Sequence, residues 1–284
     1  MAWNMLLEST PTFLYSHGLF DNHTQAFWFV KNSPQGIENK YYVMDGEIVT
    51  FDYEDVTPWF WRTDFTQVSM AQTNEIMHMK KIFDDTQLLL EQEQQNTDMI
   101  LMGVSRGAAV ILNFMSLFNP EQVKALILEA PFDSSATIAK SMVKNLNLHW
   151  IPGMKSMSHN VLSFLFVRHK RDGIQPINSV ALIKKELPIF LACSLTDWVV
   201  PASSTIALYK KLIETGHTHV YLFIADESKH SKIIFGQYGE QYAQAVHAFY
   251  KKYNLPYDPA LALAGKPILD RCQPSIGKLQ KHLK

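Results

Sequence analysis

The sequence has few of the features that mark secreted, membrane-spanning or nucleic-acid-binding proteins. Its 284 residues include two cysteines, Cys193 and Cys272, and no Cys-x-x-Cys pair, which excludes a disulfide framework. No run of about 18 apolar residues occurs, so no membrane-spanning helix is expected. The formal net charge is −1, so no overall field favours nucleic acid or an anionic membrane as a partner.

Targeting segments and repeats are lacking as well. Residues 1–7 do not show the basic segment and long apolar core of a signal peptide. Together with the low cysteine content, this predicts a cytoplasmic protein. Internal repeats and low-complexity tracts are absent, which excludes repeat architectures. What the chain does have is 47% hydrophobic residues, enough for one large α/β domain or two small ones.

One stretch combines a strand, a sharp turn and a helix around a serine. Residues 98–102 form a short apolar run, Gly103-Val104-Ser105-Arg106-Gly107 follows, and residues 108–118 have helical character. This is the Gly-x-Ser-x-Gly pattern in a strand–turn–helix context. The glycines allow a tight turn, and the new helix N-terminus offers unpaired N–H groups to a developing oxyanion. The stretch therefore predicts a nucleophilic Ser105.

Strand-like and helix-like segments alternate along the rest of the chain. Ser69-Met70-Ala71-Gln72 has the spacing of a capping box, and apolar residues follow it at helical spacing as far as Leu90. Apolar runs near residues 123–131, 187–194 and 219–224 read as buried parallel strands. The alternation predicts an α/β fold, a mostly parallel sheet with helices on both faces.

A second motif, His17-Gly18, follows a short strand at residues 12–16. With the Ser105 turn downstream, the chain resembles the α/β-hydrolase superfamily. Its spacing is most similar to compact hydrolases related to prolyl-oligopeptidase catalytic domains, carboxylesterases and thioesterases. The resemblance implies that the loop after His17-Gly18 supplies one oxyanion-hole donor. The two donors would then be the backbone N–H groups of Leu19 and Arg106.

The superfamily also places an acid and then a histidine after later strands. Asp197 follows Ser105 by 92 residues, and His230 follows Asp197 by 33, each in a loop after a predicted strand. The run from Asp197 to Pro201 resembles the superfamily's acid loop, in which the proline begins the next helix. A serine needs a base to take its proton and an acid to orient that base. The resemblance therefore implies a triad of Ser105, His230 and Asp197.

Other acids and histidines compete for these roles. Glu129 and Asp133 follow the strand after the nucleophile, where some relatives carry their acid. His217 and His219 precede a strand and His247 lies within a predicted helix, so all three fit structural roles better. A zinc site at His217 and His219 lacks a third ligand nearby. No metal and no cofactor are predicted.

Residues 132–180 break the alternation of strands and helices, at the point where the superfamily inserts a cap. The resemblance implies a hydrolase core of residues 1–131 and 181–257, a helical cap or lid of residues 132–180, and a C-terminal tail of residues 258–284. The basic run at residues 168–171 could attract a carboxylate or phosphate, but a solvated cap face is the favoured interpretation.

The beginning of the chain departs from the family pattern. Only 16 residues precede His17, which leaves no room for two strands that normally come first. We therefore expect a sheet shortened at the N-terminus, with residues 48–51 at its edge. An open edge invites pairing, so residues 41–44, the tail or a second subunit should cover it, and a homo-oligomer is one outcome. Asp45-Gly46 also allows a hairpin between residues 41–44 and 47–51.

These observations predict a serine hydrolase that cleaves an ester, thioester or amide. The partner would be a small-molecule acyl substrate, with Phe20 and Trp198 beside the motif loops and suited to an apolar acyl or aromatic group. Two alternatives remain open. One is a binding protein with slow or no chemistry on the same fold. The other is an acyltransferase with an acceptor other than water.

Overall fold

Six parallel strands form one sheet in the part of the chain that the computed structural model describes, residues 10–36, 38–56, 64, 66–145, 166, 168–170 and 172–279. The spatial order is β2-β1-β3-β4-β5-β6, and every neighbouring pair is parallel. The strands are β1 (Thr12–Ser16), β2 (Ile48–Thr50), β3 (Met99–Val104), β4 (Val123–Glu129), β5 (Ile189–Ser194) and β6 (Val220–Ala225).

Helices connect these strands and cover both faces of the sheet. The α-helices in the described residues are α1 (Thr73–Gln92), α2 (Arg106–Phe118), α3 (Ser135–Asn145), α4 (Pro176–Ser179), α5 (Ala202–Glu214), α6 (Gly239–Lys252), α7 (Pro259–Leu269) and α8 (Ile276–Leu279). Short 3₁₀ helices lie at His23–Trp28, Val180–Leu182, Ile233–Phe235 and Asp270–Cys272.

Alternate residues of each strand face two different hydrophobic cores. Leu14 and Leu101 pack with α1, α2 and α5 on one face, whereas Phe13 and Ile100 pack with α6 on the other. All six residues of β3 are buried, as expected for a strand in a sheet that helices cover on both faces. The α/β fold with a mostly parallel sheet and helices on both faces is confirmed.

The edge of the sheet shows residues 48–50 as a parallel strand, which is the edge-strand interpretation of this part of the sequence and not the hairpin at Asp45-Gly46. Residues Ile48–Thr50 pair in parallel with β1, with Val49 opposite Leu14, and no hairpin forms. Met44 instead makes an isolated bridge with Val30. Among the described residues β2 has no strand on its outer side. The second-subunit cover for this edge stays a prediction.

The capping-box prediction at Ser69 was wrong. Helix α1 begins at Thr73, with Gln72 as its N-cap and no side-chain capping bond. Glu75, in the first turn, accepts hydrogen bonds from the backbone N–H groups of Ser69 and Ala71 instead. The carboxylate of Glu75 thus holds the segment before the helix, and it is buried in the interior.

The tail contains a helix that its sequence pattern did not reveal. Asp258 caps α7 by accepting hydrogen bonds from the N–H groups of Ala260 and Leu261, and Pro259 takes the first helical position. Helix α7 packs against α6, and Gly265 lies so close to Gln244 that a side chain there would clash with its carbonyl oxygen. Ala262 and Leu269 are buried with Gly265, so the close approach at the glycine is flanked by apolar contacts.

The cap assignment is only partly visible. Helix α3 starts the segment predicted as a cap, whereas residues 146–165 lie outside the described residues, as does the predicted aromatic loop at residues 58–62. In the basic run, Arg168 pairs with Glu54 at 3.1 Å. The division into core, cap and tail stays a prediction. No helix in the described ranges is long and apolar enough to cross a membrane.

Candidate active site

Ser105 occupies a strained turn between β3 and α2. Its φ of 54° and ψ of −116° lie outside the regions favoured by non-glycine residues. A Cβ added to Gly107 would come within 2.0 Å of the carbonyl oxygen of Ser16, and one added to Gly103 within 2.8 Å of the backbone of Ala108. Both glycines are required, because the turn packs directly against the end of β1 and against its own helix.

The three residues of the predicted triad lie in one hydrogen-bonded chain. The distance from Ser105 Oγ to His230 Nε2 is 2.9 Å, and His230 Nδ1 lies 2.7 Å from Asp197 Oδ2. The other oxygen of Asp197 accepts hydrogen bonds from the backbone N–H groups of Val199 and Val200. With the carboxylate fixed on both oxygens, Nδ1 of His230 carries the proton and Nε2 is free to accept one from Ser105.

The loop that carries His230 is anchored on both sides. The Ser194 hydroxyl, at the end of β5, accepts from the N–H of Ser228 at 2.8 Å and donates to its carbonyl oxygen at 2.9 Å. On the other side, the N–H of Ile233 donates to Glu129 Oε1 at 3.1 Å. These contacts fix the histidine against the end of the sheet.

Neither competing acid pairs with His230 in the described residues, where its carboxylate partner is Asp197. Glu129 is fully buried and uses its carboxyl group to hold Ile233. Burial, together with a smaller contribution from the negative charge of Asp197, raises the pKa of Glu129 from 4.5 to about 7. Asp133 accepts a hydrogen bond from the hydroxyl of Ser204. Asp197 is therefore the carboxylate that the structure brings to the histidine.

The competing histidines bind backbone groups. No group of three or more histidine, cysteine or acidic side chains that could hold a metal occurs in the described residues. The contacts are His217 with the carbonyl oxygens of Leu212 and Ile183, His219 with that of Glu186, and His247 with the carbonyl of Tyr42 and the N–H of Asp258.

The two predicted oxyanion donors, the N–H groups of Leu19 and Arg106, belong to the His17-Gly18 loop and to the serine turn. Arg106 is the first residue of α2, so its backbone N–H has no acceptor within the helix. No acceptor contacts the N–H of Leu19 in the part of the chain that the structure describes. Gly18, directly before it, packs against the Ser105 turn, where an added Cβ would lie 3.7 Å from Ser105 Cβ.

The sequence analysis missed the side chain of Arg106, which is buried under the site. Its Nη1 lies 2.8 Å from Asp55 Oδ1 and 3.4 Å from Glu75 Oε1, and its guanidinium lies 4.6 Å from the centre of the Tyr53 ring. Its Nη2 donates to the carbonyl oxygen of Gly18 at 3.4 Å. The middle position of the serine motif carries no pattern for its side chain, and the partners lie far away in sequence.

His17 has a structural contact that the sequence did not reveal. Its Nδ1 lies 2.7 Å from the carbonyl oxygen of Gly18, and its Nε2 accepts from the N–H of Tyr53 at 3.2 Å. These two bonds require a neutral ring with its proton on Nδ1. Burial lowers the pKa of His17 from 6.5 to about 3, and the nearby Arg106 charge lowers it too. Asp52, 4.0 Å away, therefore faces an uncharged ring.

The predicted substrate-contacting residues are exposed. Phe20 is 63% exposed and Trp198 is 64% exposed. The carbonyl oxygen of Trp198 accepts hydrogen bonds from Ser141 and Asn145 of α3, so the start of the predicted cap is tied to the acid loop. A groove of about 520 Å³ runs between them and is also lined by Lys140, Lys144 and Pro201.

Comparisons with known proteins agree with this architecture. The model of the prolyl oligopeptidase family matches residues 72–255, more than half of the chain and including all three triad positions. No curated protein sequence matches the chain.

Solved structures share the fold at low sequence identity. An esterase of Pyrococcus furiosus superposes with a TM-score of 0.60 at 16% identity, covering 87% of this chain and 82% of that one. An acylaminoacyl peptidase of Pyrococcus horikoshii gives a TM-score of 0.60 at 16% identity, covering 88% of this chain but 38% of the larger enzyme. A hydrolase of Pseudomonas aeruginosa gives 0.51 at 13% identity, covering 84% and 89%. The protein therefore has the α/β-hydrolase fold and belongs to the prolyl oligopeptidase family.

Proposed function

We propose that this protein is a serine hydrolase that cleaves an ester, thioester or amide of a small or medium acyl substrate through an acyl-enzyme. The observation that carries the proposal is the chain of two short hydrogen bonds from Ser105 through His230 to Asp197, at a strained strand-to-helix turn. Strain at a serine with a base within reach is the mark of an activated nucleophile.

In the proposed reaction, Ser105 Oγ attacks the substrate carbonyl carbon while His230 Nε2 takes the hydroxyl proton. The negative charge that develops on the carbonyl oxygen is held by the N–H groups of Leu19 and Arg106. Asp197 orients His230 and stabilises its charged form. His230 then gives the proton to the leaving group, and a water molecule, activated by His230, releases the acid and restores Ser105. Apart from the substrate and one water molecule, every step uses groups of this chain.

The substrate class is inferred from the surroundings of the triad. Trp198 and Phe20 offer exposed aromatic surface beside the acid loop and the oxyanion loop, which suits an apolar acyl or aromatic group. An esterase and a peptidase are both among the proteins of similar fold, which supports acyl transfer without choosing between ester and amide. The groove between α3 and the acid loop supports the proposal that residues 132–180 act as a cap over the substrate.

The proposal is tested by labelling the protein with a fluorophosphonate and measuring its intact mass. In this reaction a bond forms between Ser105 Oγ and phosphorus, the proton passes to His230, and fluoride leaves. We expect one adduct on the wild type and on the control Ser275→Ala, whose serine is exposed and distant in sequence, and none on Ser105→Ala. A labelled Ser105→Ala protein would contradict the assignment of the nucleophile.

Two other outcomes would redirect the proposal. A folded wild type that takes no label would favour the binding-protein alternative. A wild type that is labelled, but that transfers acyl groups to added alcohols or amines faster than to water, would favour an acyltransferase. Product analysis by mass spectrometry separates these cases.

A further inference from the structure

In the peptide group between Gly18 and Leu19, the carbonyl oxygen is hydrogen-bonded, whereas the N–H has no acceptor among the described residues. Its carbonyl oxygen accepts from His17 Nδ1 at 2.7 Å and from Arg106 Nη2 at 3.4 Å. The preceding N–H, that of Gly18, donates to Gln25 Oε1 at 2.9 Å. In a trans peptide the carbonyl and the N–H point in opposite directions. Fixing the carbonyl therefore fixes the direction of the Leu19 N–H.

The guanidinium that reaches this carbonyl has little freedom to move. Arg106 is 1% exposed, and Nη1 is held by Asp55 and Glu75. Glu75 in turn accepts from the N–H groups of Ser69 and Ala71, so its position is set by the backbone before α1. A buried charge is stable only when it is paired and hydrogen-bonded. The guanidinium of Arg106 must therefore keep the orientation in which it binds these carboxylates.

Arg106 therefore contributes to both predicted oxyanion donors. Its own backbone N–H is one of them, and its side chain binds the carbonyl of the peptide that carries the other. We propose that Arg106 is a positioning residue that aligns the Leu19 N–H with its own N–H, and so builds both halves of the oxyanion hole. This inference rests on the proposed function, because the hole has a role only if Ser105 is the nucleophile.

The contact has an electrostatic consequence as well as a geometric one. A hydrogen bond to a peptide carbonyl polarises the peptide and strengthens its N–H as a donor. Because the guanidinium and the carboxylates are already oriented, little reorganisation is needed when charge develops on the substrate. Loss of one oxyanion donor lowers kcat by about 10²–10³. Misalignment of one donor should cost part of this, about 10–100-fold.

Variants must separate alignment from folding. Arg106→Lys keeps the charge, but a single ammonium cannot span Asp55, Glu75 and the Gly18 carbonyl as a planar fork does. If that variant does not fold, the triple variant Asp55→Asn, Glu75→Gln, Arg106→Met removes all three charges together and leaves no buried ion unpaired. Arg168→Lys, at the surface ion pair with Glu54, is the matched control.

The readout uses two inactivators that differ in one atom, a fluorophosphonate and its analogue with P=S in place of P=O. Sulfur is a weak hydrogen-bond acceptor, so the P=S compound gains little from the oxyanion hole. We expect Arg106→Lys and the triple variant to slow inactivation by the P=O compound about 10–100-fold, as estimated for one misaligned donor. Inactivation by the P=S compound should change by less than about threefold, because this compound draws little on the donors that Arg106 aligns.

The outcomes distinguish the two proposals. Equal losses with both compounds, or no loss with either, would overturn the role of Arg106 while leaving Ser105 as the nucleophile. A wild type that reacts with neither compound would instead overturn the proposed function, before any variant is compared. A selective loss with P=O in the Arg106 variants, but not in Arg168→Lys, supports the inference.

Discussion

Two histidines lie at the carboxyl edge of the sheet, and their partners give them opposite chemistry. His17, after β1, is enclosed between the Gly18 carbonyl and the Tyr53 N–H, and its side chain has no exposure. His230, after β6, lies between a carboxylate and a hydroxyl and keeps 18% exposure. The first set of partners fixes a neutral ring, whereas the second leaves a nitrogen able to take a proton.

The comparison shows that the role of each histidine depends on the hydrogen-bond partner of its Nε2 atom. Both rings have Nδ1 bound to an oxygen. In His17 the other nitrogen accepts a backbone N–H that cannot give up its proton, so the ring is purely structural. In His230 the other nitrogen faces Ser105, whose proton can be transferred. Substitutions that remove each set of contacts should therefore change different properties, activity in one case and stability in the other.

The largest effect is expected for Asp197→Asn, which attacks the partner of His230. The amide nitrogen would face Nδ1 and move the ring proton to Nε2, where it blocks proton transfer from Ser105. We expect kcat for an activated ester to fall by about 10⁴, with little loss of stability. Steady-state kinetics and thermal unfolding check this, with Asp226→Asn as an exposed control. Loss of less than tenfold would contradict the proposed role of Asp197.

A smaller effect, mainly on stability, is expected for His17→Phe. The change leaves the Tyr53 N–H without its acceptor and removes one donor to Gly18, which should lower the free energy of unfolding at pH 7 by about 2 kcal/mol. The wild type should also lose stability as the pH falls from 6.5 towards 3, because the unfolded ring takes a proton that the folded ring refuses.

The His17→Phe variant lacks this acid sensitivity. The pKa shift corresponds to about 3 kcal/mol at pH 4, more than the wild type's advantage of about 2 kcal/mol at pH 7, so the stabilities of the two proteins should cross near about pH 5. Urea unfolding at pH 4, 5, 6 and 7 measures the difference. A constant gap between the two proteins at every pH would contradict a neutral buried His17.

The smallest effect on activity is expected for Glu129→Gln. The amide oxygen can still accept from Ile233, so the rate should change by less than about threefold. Stability behaves differently, because burial raises the pKa of Glu129 from 4.5 to about 7. The folded protein retains a proton that the unfolded chain releases, so the wild type loses up to about 3 kcal/mol as the pH rises through this window.

Glu129→Gln should therefore be more stable than the wild type at pH 8 but not at pH 4. The comparison is made by urea unfolding, with Glu121→Gln, which is highly exposed, as the control. Identical pH profiles for the wild type and Glu129→Gln would show that Glu129 ionises normally inside the fold.

The parts of the site that sequence could predict are those that depend on local geometry. The glycines of the serine turn and the strands that precede Asp197 and His230 follow from patterns within a few residues, whereas the roles of these two residues are implied by the resemblance to the α/β-hydrolase superfamily. The parallel sheet follows from the alternation of apolar runs and helical segments in the same way. The geometry then brought Ser105, Asp197 and His230 together as expected.

The missed features depend on contacts between distant segments. Arg106 meets Asp55 and Glu75 from 51 and 31 residues away, and nothing in the local pattern marks either acid as a partner. Glu75 binds the N–H groups of Ser69 and Ala71 before α1, and its carboxylate also lies 3.4 Å from the buried Arg106 Nη1. Helix α7 was missed because Gly265 and Pro267 interrupt the helical pattern of its sequence, although Gly265 is buried with Ala262 and Leu269.

Glu129 links two parts of the site through different atoms. Its backbone carbonyl accepts the N–H of Ser105 at 2.8 Å, and its side chain accepts the N–H of Ile233 in the loop after His230. Both amides can exchange with deuterium only when their contact with this one residue opens. The nucleophile turn and the histidine loop should therefore show matched exchange protection, as one cooperative unit whose opening separates serine from base in a single event.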